Sequence, residues 1–150
     1  MSLAEKINQD LKDAMRSGDK IRLETIRSIR ALILEFEKSG TGKDLNQEEE
    51  LKMLTTAAKK RKESIEQFRN GGRNELAEKE EAELKIIEEY LPKQLSLDEI
   101  ESEIRKLGLE LNAKTKDDFP KLMPAAAKML KGKADGRVVK EIVEKILSTN

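Results

Sequence analysis

Apolar residues recur along this chain at intervals of three and four, and the pattern breaks only at glycine, proline or a capping residue. Leu3, Ile7, Leu11 and Ala14 share one face of a helix predicted over residues 3–16. Gly18 ends it, and Asp19 stands where the next helix needs an N-cap. Leu23, Ile26, Ile29, Ile33 and Phe36 continue the spacing over residues 20–38. After the loop SGTGKDLN, with Asn46 as cap, Leu51, Leu54, Ala58, Ile65 and Phe68 mark a third helix over 47–69. NGGR closes it. Asn74 is placed to cap a fourth helix reaching Tyr90, with Leu76, Leu84, Ile87 and Leu91 inward.

Pro92 stops the pattern because it has no backbone donor and restricts Leu91. LPKQLS therefore reads as a hinge. Ser96 and Glu99 have capping-box spacing and open a fifth helix that ends near Gly108. Residues 109–116 read as a connector. Asp117 or Asp118 caps a sixth helix reaching Lys131, and Asp135 caps a seventh over 136–147. Val139, Ile142, Val143 and Ile146 face inward from that last helix. Pro120 suits a first helical turn, whereas Pro124 inside the helix costs about 3 kcal/mol. Two readings stay open: the helix bends at Pro124, or its regular part begins there.

No segment alternates with a period of two, so the fold class is all-α. Residues 1–91 form a four-helix unit, 92–96 a hinge and 97–150 a small three-helix unit. Aromatics are 3% of the residues, so the interior is thin and aliphatic. The 30 basic and 30 acidic residues cancel, which excludes a wholly basic nucleic-acid binder and leaves room for a local patch. Without histidine or cysteine the chain lacks the commonest general base, thiolate nucleophile and metal ligands. No catalytic residue, cofactor or metal site is read from it. The opening MSLAEKINQDLK is charged within its first turns, unlike a signal peptide. No apolar run approaches the roughly 18 residues of a membrane span. A soluble, cytoplasmic protein is expected.

Arg30 follows Leu23 by seven residues, Arg61 follows Leu54 by seven, and Glu80 lies between Leu76 and Leu84. All three are expected at a shared seam, where an unpaired charge is costly. They read as a structural ion-pair network that sets helix register, with an anion site at Arg30 and Arg61 as the sharper alternative. KKRK, Lys59 to Lys62, points four ways around its helix and reads as solvated faces.

Between Lys121 and Lys140 stand six basic residues and one acid, Asp135. Lys128, Lys131, Lys133, Arg137 and Lys140 surround GKADGR, where one helix ends at Gly132 and the next begins at Asp135. Helix amides and clustered cations suit phosphate. A capped corner whose lysines serve solubility is the plainer reading.

Three stretches resemble the GatB/YqeY family: RLETIRSIRALILEFE, AAKKRKESIEQFRNGGRNELAEKEEAELKIIEEYLPKQLS and LKGKADGRVVKEIV. Pro120 and Pro124 depart from that pattern. The resemblance covers essentially the whole chain. It implies a helical N-terminal domain and a smaller C-terminal one, similar to the helical and tail regions of the B subunit of tRNA-dependent amidotransferase. In that enzyme the tail helps to hold tRNA, while the glutaminase and amide-transfer chemistry sits in parts this chain does not resemble. A non-catalytic module binding tRNA or another structured RNA through the five basic residues is expected. Docking on an amidotransferase or aminoacyl-tRNA synthetase is the second expectation. Carbon–nitrogen ligase activity with glutamine as amido donor comes third, on resemblance alone. With few aromatic platforms, backbone or shape recognition is favoured over base reading.

Overall fold

Side chains placed just ahead of the helices set where most of them start. In the computed structural model, which describes residues 1–42 and 44–148, Ser2 accepts from the Glu5 amide and opens α1, Leu3–Ser17. Asp19 accepts from the Arg22 amide and opens α2, Lys20–Lys38. Asn46 does the same for α3, Gln47–Asn70, through the Glu49 amide. Each such cap contributes about 1 kcal/mol. Lys43, inside the predicted loop, and the last two residues lie outside the described residues.

α4, Asn74–Glu88, departs from expectation at both ends. Asn74 is its first helical residue, not its cap; the cap position is Arg73, and no side chain bonds there. The helix stops two residues before Tyr90, as Glu89 and Tyr90 tighten into a turn. Its inward face is also rotated. Ala77 is fully buried, whereas Leu76, expected inside, is 41% exposed.

The helices α1 to α4 make one unit, Met1–Leu91. Its core is Ile7 of α1, Ile26, Ile29 and Ile33 of α2, Leu54, Ala57 and Ala58 of α3, and Ile87 of α4. Each fully buried isoleucine contributes about 1.5–3 kcal/mol. Leu11, Leu23 and Leu84 pack at its edge.

A second unit begins at Pro92. Ser96 and Glu99 complete the capping box that opens α5, Leu97–Glu110. α5 runs through Gly108 for two more residues, and Asn112, at φ 55, turns the chain beyond it. The connector is thereby shifted to residues 111–118, and it contains a 3₁₀ turn, Lys116–Asp118. The Asp118 carboxylate accepts from the Lys114 and Thr115 amides, so it closes the turn behind it and does not cap the helix ahead. That helix, α6, spans Phe119–Met129, two residues short of the expected end. It passes through Pro124, so its regular part does not begin there. Both prolines are exposed, and the acceptor Pro124 leaves unused belongs to Pro120 in the wet first turn. α7, Gly136–Ser148, buries Val139, Val143, Ile146 and Leu147 against Ile100 and Ile104 of α5 and Leu122 and Ala126 of α6.

Seven α-helices and no strand occur among the described residues. None of these helices is long and apolar enough to cross a membrane.

Candidate nucleic-acid interface

The corner between α6 and α7 is a built joint. The Leu130 carbonyl accepts from the Lys133 and Ala134 amides, which rolls up the end of α6. Gly132 makes the reversal at φ 79, a left-handed conformation that costs other residues roughly 1–2 kcal/mol. Asp135 then accepts from the Arg137 amide at 2.8 Å and caps α7.

Around this joint Lys128, Lys131, Lys133, Arg137 and Lys140 are all exposed. Among the described residues no carboxylate lies within ion-pair distance of Lys128, Lys133, Arg137 or Lys140. The cationic surface has limits, however. Glu141 and Glu144 share the exposed side of α7, each four residues beyond one of its cations. Across a cleft of about 580 Å³, Lys133 also faces Asp98, Glu99 and Glu103 on the first turns of α5. Lys93 also lines that cleft, 3.8 Å from Glu99. The cations of the corner are thus bordered by carboxylates on the first turns of α5 and along the exposed side of α7.

The expected ion-pair network is only partly assembled. Arg61 Nε stands 3.4 Å from Glu80 and 3.1 Å from Glu83. Neither contact has hydrogen-bond geometry, so the attraction is Coulombic. Arg30 is exposed and takes no part. The buried stripe of α2 centres on Thr25, Ile26, Ile29 and Ile33, and a residue following Ile29 directly is turned by about 100° from it. The anion-site alternative loses its second fork with Arg30. Glu83, which is 9% exposed, was missed. Its signal is its place three and four residues before Ile86 and Ile87, on their face of the helix. Burial pushes the Glu80 carboxyl up, and neighbouring Glu83 pushes it further, against the pull of Arg61.

A second polar cluster, also missed, occupies a recess of about 380 Å³ in the first unit. The Tyr90 hydroxyl donates to Asp10 at 2.5 Å, and Lys6 sits 5.3 Å above the tyrosine ring. Arg22 forks onto Glu89 beside them at 2.8 and 3.4 Å. These groups satisfy one another and lock α1 to the ends of α2 and α4. Among the described residues no three His, Cys, Asp or Glu side chains gather as a metal site.

The fold and this corner define a small all-α protein with a cationic helix joint in its second unit. The chain belongs to the YqeY-like protein family, whose model matches residues 4–147. Three fungal relatives share the name altered inheritance of mitochondria protein 41, mitochondrial. The one from Pyrenophora tritici-repentis is 32% identical over 145 residues, 95% of this chain and 79% of the relative. That from Lachancea thermotolerans is 34% identical over 77% of this chain and 66% of the relative. That from Kluyveromyces lactis is 37% identical over 56% of this chain and 45% of the relative. The cytoplasmic expectation is corrected by these names, which are those of mitochondrial proteins.

Proposed function

We propose that the chain is a non-catalytic helical module that holds tRNA or another structured RNA by its phosphate backbone. The observation that carries this reading is the α6–α7 corner, where exposed cations are mounted on a capped and hydrogen-bonded joint. Rigid mounting lowers the ordering cost of each phosphate contact. The half-buried Tyr90 is bonded to Asp10 and has Lys6 over its ring, so it offers no free platform for a base.

Titration with tRNA at about 50 and about 200 mM salt tests it, because several phosphate contacts make affinity fall by orders of magnitude across that range. Lys133→Glu, Arg137→Glu and Lys140→Glu combined abolish binding. Lys59→Glu with Lys60→Glu, exposed on α3, leaves it intact. Unchanged affinity in the triple variant removes the corner from the account.

Docking on an amidotransferase or aminoacyl-tRNA synthetase is the second reading. A recess of about 650 Å³ on the second unit, with Phe119 and Leu147 in its lining and Lys116, Glu141, Glu144 and Lys145 around them, favours it. Co-purification of such a partner that survives nuclease treatment supports it. Glutamine-dependent amide transfer by the isolated chain is the outcome that would restore the enzymatic alternative.

A further inference from the structure

The segment read as a hinge is bonded to the corner. Gln94 Nε2 donates to the Gly132 carbonyl at 2.7 Å and to the Pro92 carbonyl at 3.0 Å. The neighbouring Leu95 amide donates to the Lys133 carbonyl at 3.0 Å. Gly132 and Lys133 are consecutive, so the two peptide planes on either side of the Lys133 Cα are both held from outside the corner. The same two planes are held on their N–H sides as well, since the Lys133 and Ala134 amides both donate to Leu130. One plane sets φ of Lys133 and the other sets ψ. The backbone of this exposed lysine has no soft torsion left.

We infer that Gln94 is a positioning residue for the phosphate-binding corner, and that residues 92–95 are a strap on that corner. The inference rests on the RNA reading above and deepens it. Gln94 carries no charge and touches no phosphate. It acts by holding the Gly132 carbonyl, which sustains the left-handed turn and keeps Lys133 presented in one direction. A helix end with a single glycine reversal has other ways to continue, and the strap excludes them. The half-buried amide is suited to this role because it spans two carbonyls 40 residues apart in sequence, Pro92 and Gly132, with its two donors.

The test replaces Gln94 by methionine, which matches its length, carries no charge and donates nothing. Circular dichroism establishes that the variant folds; if the second unit is lost, Gln94→Ala takes its place. The expected result is tRNA affinity about fivefold weaker at low salt, with the slope of log affinity against log salt reduced by about one phosphate contact. Mere loss of stability lowers the binding-competent fraction and leaves the slope alone. Amide exchange at Lys133 and Ala134 quickens. In a chain that already carries Lys133→Ala, Gln94→Met produces no further loss. If the parent chain binds tRNA and Gln94→Met matches it in affinity and slope, the positioning role is overturned and the RNA reading stands. If the parent chain does not bind, the RNA reading falls and takes this inference with it.

Discussion

Tyr90 and Asp10, 80 residues apart, are joined by a 2.5 Å hydrogen bond from the phenol to the carboxylate. Tyr90 is the sole tyrosine and tryptophan is absent, so near-ultraviolet absorbance reports on this one contact. Burial pushes the phenol up from its ordinary 10.0, and the bond to Asp10 adds to the shift. The protonated phenol is therefore preferred in the folded state. Its stabilisation is fully present below about pH 10, the unfolded value, and is lost as pH rises towards the folded one. Spectrophotometric titration will show tyrosinate appearing later than in the urea-unfolded chain. Tyr90→Phe leaves Asp10 short of a donor and costs about 1 kcal/mol in urea denaturation.

Glu80 and Glu83 share the single guanidinium of Arg61, and the two are not equivalent. Glu83 is the nearer and the more buried. Glu83→Ala leaves Arg61 with Glu80 alone, 3.4 Å away, and costs about 1 kcal/mol, whereas Glu80→Gln is tolerated within about 0.5 kcal/mol at neutral pH. The Glu80 carboxyl is raised by burial and by Glu83. Its protonated form is favoured on folding, so its contribution is complete below about 4.5, the unfolded value, and is lost as pH rises through the folded one. Comparing unfolding midpoints of parent and Glu80→Gln across that window isolates the effect. A parallel pH dependence in both chains would refute it.

The two glycines of GKADGR answer oppositely to alanine. Gly132 holds φ 79, so Gly132→Ala costs about 1–2 kcal/mol and unsettles the corner. Gly136 opens α7 with nothing within 4 Å of an added Cβ. Gly136→Ala stabilises by about 0.5 kcal/mol through the helix propensity of alanine and the smaller entropy of the unfolded chain. Thermal melts of the two variants displaced in opposite directions are the expected outcome.

The acidic turns of α5 face Lys133 across the cleft, and on the proposed RNA reading their charge opposes an approaching phosphate. Asp98→Asn combined with Glu103→Gln raises tRNA affinity about two- to fivefold at low salt, and the gain fades as salt screens it. Glu99 is left unchanged because its carboxylate accepts from the Ser96 amide in the capping box. A gain that persists at high salt would mean the acids act through something other than charge.

Helix positions were legible from neighbours in sequence. Asp19, Asn46, Ser96 and Asp135 announce their caps because a cap bonds to an amide two or three residues on. Asn74 and Asp118 show where that logic weakens. Both have capping chemistry, but α4 starts at Asn74 itself, and the Asp118 carboxylate was already taken by amides behind it. The basic corner was legible too, as a run of cations around a glycine turn. Its acidic border was not, because Asp98 and Glu103 lie some thirty residues earlier in the chain.

From sequence alone come the all-α class, the helix spans to within two or three residues and the turn at Gly132. These rest on backbone torsions and hydrogen bonds that close over a few residues. Only the tertiary structure decided that Arg30 points to solvent while Glu83 is buried beside Arg61. It alone showed that Gln94 reaches Gly132 and that Tyr90 reaches Asp10. Periodicity marks a helical stripe and leaves its edges open, and what lies opposite each edge is set by a neighbouring helix whose rotation no local pattern encodes.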